Sequence, residues 1–414
     1  MRIFFYELRK IWNPRTLAFI ALLMVLAWFV LLRGFSESEQ RLQVYGAYGA
    51  YATEMYDMYG ETLGPGEFEQ FDISGKLTEI AAKGDAMLND EPVFKKYGIS
   101  SFSEWMKRYN SGNIVIQDKT SVIDTKKEVH DYGFAVVPSL LMDSDTDDDV
   151  WQSPMLAWVF LHQLENRFIN YKSLLTPFTH DERPIVTDAA RRFMESGNNN
   201  LISYTLCSNF SGYAAITAII ALVITIVLVA PPLTNDFARR VHLLQYTSCA
   251  GRRVFAKKLT ATLLTAFAIS LITVTLSYAA FIIPSAANYL GAHIGGLPGI
   301  GLWLYNITFG QYVIILAAIT VAVCLGAAGL AFVLARYSSN VVTLMLKTVP
   351  TGAALILIAY LSINALFNAE NFVFTRIFKG RVVVPEVIVC GAVFALGVIA
   401  ATVIAKREKR VDVV

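Results

Sequence analysis

Charge is what this sequence has least of. Only 16% of its 414 residues are Asp, Glu, Lys or Arg, against 55% hydrophobic ones, and the mean hydropathy is +0.48. From Leu259 to Ala335 there is no charged residue at all. A chain so composed is neither an ordinary soluble domain nor a nucleic-acid binder; it belongs with polytopic membrane proteins. Cysteine is also scarce. Cys249, Cys324 and Cys390 lie in or beside apolar runs, and Cys207 is alone in the segment 34–209, so that segment cannot be closed by an internal disulfide. This suits a bacterial surface better than a secreted disulfide scaffold. No Gly-x4-Gly-Lys-Ser/Thr exists: Ser74-Gly75-Lys76-Leu77 fails at its last position and upstream at Gln70. An ATP site of that kind is therefore excluded, and the chain reads as non-catalytic, without a cofactor or metal of its own. The apolar runs also lack ionisable residues at membrane depth, which argues against an ion pump or intramembrane enzyme. His293, in a connection, and Glu386, at the mouth of the last run, have no evident partner and read as structural.

What is abundant is long apolar sequence. A helical crossing takes roughly 20 such residues, and six runs qualify, near 16–33, 210–233, 259–284, 310–335, 343–366 and 385–405. Lys257 and Lys258 precede the charge-free stretch and Arg336 follows it, so the basic-inside rule requires an even number of crossings between them. Pro284, Asn288, Gly295, Gly296, Pro298 and Gly299 interrupt its middle and make two crossings joined by an uncharged outer connection. The remaining charges are segregated: residues 36–200 hold 27 of the 33 acidic side chains but only 15 of the 35 basic ones. Arg2, Arg9, Lys10 and Arg15 precede the first run, and Lys406, Arg407, Lys409 and Arg410 follow the last. Both termini are thus expected in the cytosol of a cell membrane, with a basic tail at 406–414 and the acidic block outside.

The fold class expected is an all-α polytopic membrane protein with six transmembrane helices and a large, mainly α extracellular domain, 34–209, between the first and second spans. Residues 210–405 form a membrane domain of the other five. Residues 1–15 place Phe4, Leu8, Ile11 and Trp12 on one helical face and Arg2, Arg9, Lys10 and Asn13 on the other, an interfacial amphipathic helix. In 34–209, Ser101-Phe-Ser-Glu104 is a capping-box start, Pro154 opens a helix that runs toward Leu175, and Gly197 closes another. Asn113 to Gln117 reads as a short strand. The run Asp143 to Asp149 resembles a calcium loop, but Asp148 stands where that loop needs Gly and Pro154 where it needs Glu, so it reads as a solvated acidic loop.

The cytosolic segment 235–258, NDFARRVHLLQYTSCAGRRVFAKK, lies between two runs and carries more than topology requires. Asn235 can cap a helix, Asp236 suits its first turn, and Phe237, Val241 and Leu244 fall on one side at helical spacing. Arg239, Arg240, Arg252, Arg253 and Lys257 rim them. An apolar stripe bordered by charge on a short cytosolic helix suits a protein partner. Here the chain resembles a permease subunit of the type-2 ABC exporter family: an interfacial helix, six spans, and a coupling helix between the second and third. That family's link has an acidic residue, a Leu-rich stretch, a small-residue turn, an Arg and a Lys; Asp236, Leu243-Leu244, Ser248, Arg252 and Lys257 stand in those places. Arg239-Arg240 replaces a usual Gly-Thr, and Cys249-Ala250 a frequent Pro. The resemblance implies a separate ATPase subunit that holds ATP and Mg, a second permease chain in a homo- or heterodimer, and export of a lipid-like, peptide or drug-like substrate. The rival reading is a membrane receptor or assembly factor whose outer domain binds a ligand without transport.

Overall fold

The computed structural model describes residues 2–40, 47–60, 66–88, 100–110, 154–197, 200–238, 254–299, 301–371 and 374–408. Six helices are long and apolar enough to cross a membrane: Pro14–Gln40, Tyr204–Thr234, Val254–Ser285, Phe309–Arg336, Val341–Ile363 and Pro385–Glu408. They are consistent with a multi-pass membrane protein. The chain folds as two compact units, one of residues 1–36, 178–191 and 203–414, the other of 37–177 and 192–202.

The first unit begins with α1 (Arg2–Ile11), an amphipathic helix that leaves Phe5 and Tyr6 exposed and buries Ile11. Trp12, just beyond it, donates its indole N–H to Thr265 Oγ1 at 3.1 Å, which ties this end of the chain to the third apolar helix. Asn13 then caps α2 (Pro14–Ala27) by accepting from the Arg15 amide, with Pro14 at the first helical position where its missing N–H costs nothing. A π turn at Trp28–Leu32 carries α2 into α3 (Arg33–Gln40).

The other five apolar helices form a bundle around one of their number. In α4 (Tyr204–Ala238), 72% of the most apolar window is buried inside the protein, against 17% for Pro14–Gln40 and for the last helix, so α4 is the hub. It packs against α5 (Val254–Ser285), α6 (Phe309–Arg336) and α7 (Val341–Ile363). Phe210 on α4 meets Tyr278 and Phe281 of α5 and Phe309 of α6 at 5.1–5.3 Å between ring centroids, a tilted, edge-on arrangement that favours aromatic pairs. Helix α8 (Pro385–Glu408) packs on α6 through glycine. A Cβ on Gly326 would strike the Val393 carbonyl, one on Gly329 the Gly397 carbonyl, and one on Gly397 the Gly326 carbonyl. Without a hydrophobic force between helices in lipid, such close backbone approach is how they hold together. Some buried hydroxyls return to their own helices, as Thr273 Oγ1 does to the Ile269 carbonyl and Thr320 Oγ1 to that of Leu316, while Tyr213 donates across to the Ser277 carbonyl.

The uncharged connection between α5 and α6 is irregular but well bonded. Thr308 and Gln311 make a reciprocal capping box at the start of α6. Gly296 N donates to the Trp303 carbonyl at 3.0 Å and Ile294 N to that of Ile307 at 2.9 Å. The connection also pairs with the loop after α7, where Leu304 N donates to the Phe367 carbonyl at 2.9 Å and Ala369 N to that of Leu302 at 2.8 Å. Backbone polar groups away from water are thereby satisfied without a regular sheet beyond the two-residue pair Pro298–Gly299 with Gly301–Leu302.

The second unit is helical among its described residues and has its own core, built on Met55, Phe102, Trp105, Met106, Leu161 and Leu164. Ser101 caps the helix Phe102–Asn110 through its hydroxyl, which accepts from the Glu104 amide, while the Glu104 carboxylate reaches back to Ser100 rather than to the cap residue. The helix opened by Pro154 ends at Ile169; a bend at Asn170 separates it from a second helix, Tyr171–Thr179, which contains Leu175. Gly197, with φ +77°, follows the helix Pro184–Ser196 in the left-handed conformation that suits a helix end. The expected strand at 113–117 and the acidic loop at 143–149 lie outside the described residues.

Candidate functional site

The segment 235–258 is where the sequence concentrates its signal, and the structure describes its two ends. Helix α4 continues unbroken through Pro231 and Pro232 to Ala238, so Asn235, Asp236 and Phe237 belong to its last turns, and Asn235 caps no new helix. Pro231 and Pro232 withdraw the N–H donors that the Val227 and Leu228 carbonyls would otherwise accept, a loss that membrane helices tolerate, and Thr234 Oγ1 donates to the Pro231 carbonyl at 3.0 Å within the same turn. Arg239, Arg240, Val241, Leu244, Arg252 and Arg253 lie outside the described residues. At the far end α5 begins at Val254 and carries Lys257 and Lys258 in its first turns. Lys258 is buried, with its ammonium 5.6 Å from the centre of the Phe255 ring.

Both ends of the segment are anchored in one apolar cluster. Val229 and Leu233 of α4, Phe255 and Leu259 of α5, Phe332 of α6 and Leu344 of α7 are all buried in it, together with Ile404 from the last turns of α8. Beside the cluster, the connection from α6 to α7 is only four residues long. Asn340 caps α7 by accepting from the Thr343 amide at 2.8 Å, and Lys347 Nζ donates to the Tyr337 carbonyl at 2.6 Å. The cluster thus joins all five helices of the bundle beside the two ends of the segment.

The opposite end of the bundle holds a second feature that sequence reasoning passed over. Arg183 forks onto Asp181, with Nε and Nη2 donating to the two carboxylate oxygens at 2.8 and 2.7 Å, stands 3.7 Å from Glu370, and donates to the Ala369 carbonyl. The Asp181 hydrogen bonds hold the guanidinium above its ordinary pKa. Residues 178–191 therefore belong to the bundle unit and not to the rest of the stretch between the first two apolar helices. Next to this fork lies a shallow recess whose enclosed room is about 10 Å³, enough for a group the size of one water molecule; the rest is its open mouth. Tyr305, Phe367 and Phe374 supply rings, Ile185 and Val382 aliphatic walls, and Glu386 the carboxylate. Ala365, Phe367, Lys379 and Val384 all adopt positive φ, between 46° and 65°. For β-branched Val384 that conformation is costly and is sustained only by the surrounding structure. No isolated signal in the sequence marks the recess, because its walls come from three separate stretches: the start of the helix Pro184–Ser196, the connection from α5 to α6, and the stretch from the end of α7 to the first turn of α8. Glu386 alone was visible, as a carboxylate at the start of an apolar run.

Among the described residues no group of three His, Cys, Asp or Glu side chains could hold a metal ion. No family model, curated protein or solved structure matches this chain.

Proposed function

We propose that the chain is the membrane-spanning subunit of an ATP-driven exporter of the type-2 ABC kind, working with a separate ATPase subunit that binds ATP and Mg and with a second permease chain, identical or related. In this reading both termini face the cytosol, and most of residues 34–209 face outward. The observation that carries it is the segment between α4 and α5. Its apolar stripe (Phe237, Val241, Leu244) and basic rim (Arg239, Arg240, Arg252, Arg253, Lys257), with Asp236 at the start, suit a protein partner. Its ends are fixed in the cluster that joins α4, α5, α6, α7 and α8. Since this chain lacks a phosphate-binding loop, energy would reach it through such a contact, and a contact tied to five helices can turn a small displacement into rearrangement of the bundle. Apolar, charge-free helices suit a lipid-like, peptide or drug-like cargo.

The test is co-purification of the chain with the ATPase encoded beside it, with ATP turnover read in lipid. A stable complex that Val241→Asp/Leu244→Asp breaks supports coupling through this segment. If no ATPase binds wild type, the reading falls, and a receptor or assembly factor whose outer domain binds a ligand takes its place.

A further inference from the structure

We infer that the recess around Glu386 is a binding site for an aliphatic primary ammonium group. Glu386 is only 3% exposed, although it belongs to the first turn of α8 and lines a recess that opens outward. Among the described residues no cation and no side-chain donor meets its carboxylate. A carboxylate withdrawn from water in this way is costly unless a counter-charge meets it. Among the described residues Arg183 cannot serve, because Asp181 takes its fork and Glu370 stands against it. Lys379 and Arg381 flank Gly380 at the lip but are exposed, where water and salt screen them. The space beside the carboxylate is thus left for a cation from outside.

The walls select which cation. Tyr305, Phe367 and Phe374 present aromatic rings to the same space, and ring faces attract ammonium groups most strongly where water is displaced. A hydrated metal ion would find a single carboxylate and no second acidic side chain in the lining, whereas an ammonium needs one carboxylate and a ring. Ile185, Leu304 and Val382 then offer apolar contact to a short alkyl chain. Gly380, at φ +63°, lets the wall close on Arg183 and Ile185, since a Cβ there would run into both. The site does not depend on the chain being an exporter.

The experiment uses the full-length chain in nanodiscs of neutral phospholipid, titrated with hexylammonium chloride and, separately, with hexanol, while the thermal midpoint and binding heat are read. Hexylammonium is expected to bind wild type saturably and raise the midpoint, and hexanol to do neither. Glu386→Gln should weaken hexylammonium binding roughly 10-fold or more, the value of about one lost charged contact. If Glu386→Gln does not fold, Val382→Trp, which fills the recess and leaves the carboxylate in place, should abolish the same binding. Equal responses of wild type and either folded variant, equal effects of the amine and the alcohol, or no saturable binding to wild type would each overturn the assignment.

Discussion

Arg336 Nε donates to Glu408 Oε1 at 2.6 Å, fastening the last turn of α6 to the last turn of α8. The Glu408 side chain is 5% exposed and that of Arg336 29%, so the pair is withdrawn from water on one side only. Truncating one partner of a fully buried pair costs about 3–5 kcal/mol; here Glu408→Ala is expected to cost about 1–3 kcal/mol. Thermal unfolding of Glu408→Ala, Arg336→Ala and the double variant checks it. If the double variant were as unstable as the two single losses added together, the pair would contribute nothing of its own.

The glycine seam between α6 and α8 gives a second expectation. Gly397→Val would force the two backbones apart, at a cost of about 1–3 kcal/mol or more, because relief requires moving a helix and not a side chain. Gly391, on the same helix, has open space where a Cβ would stand. Gly391→Val should leave the thermal midpoint in lipid nearly unchanged, and equal destabilisation by both would refute the seam.

Arg183 is expected to hold the backbone stitching of the cap. Arg183→Leu removes the donor to the Ala369 carbonyl and leaves Asp181 and Glu370 facing each other without their cation. Hydrogen exchange at the Leu304 and Ala369 amides should speed up by roughly 10- to 100-fold, the range for loss of a charge-assisted bond. Unchanged exchange there would reduce the fork to a local feature of residues 181–183.

Stability of the second unit should depend on alkaline pH through Tyr171. Burial pushes its phenol up to about 12, above the ordinary value near ~10. The stability tied to the neutral phenol is therefore complete below pH ~10 and is lost as pH rises toward 12, at most about 2–3 kcal/mol. Melting of Tyr171→Phe should lose less stability than wild type over that window; parallel curves would assign the decline to other groups.

The sequence made the apolar helices legible because a charge-free run of sufficient length has few other fates. Ser101 with Glu104, Pro154 and Gly197 were legible too, since each acts within a turn of itself. The six apolar helices were read several residues short at some ends: α4 runs on to Ala238 and the first to Gln40, beyond the runs at 210–233 and 16–33. Hydropathy falls at Asn235 and Asp236, but the helical hydrogen bonds do not stop there, and two consecutive prolines concealed the continuation. The recess was illegible for a different reason. Ile185, Tyr305, Phe367 and Glu386 are far apart in the chain, and their meeting depends on backbone bonds between two loops that no periodicity announces.

Those backbone bonds also make the bundle unequal at its two ends. At the end bearing the recess, the connection from α5 to α6 and the loop after α7 are sewn together by main-chain pairs such as Leu304 with Phe367. Among the described residues at the other end, the helices are held by apolar side chains and by Arg336 with Glu408. Side chains can change rotamer and partner, whereas a main-chain pair must break outright. If the bundle flexes, its fulcrum lies beside the recess and its lever arms are the ends of α4 and α5 that bracket residues 239–253, so the largest travel falls where the segment joins the fold.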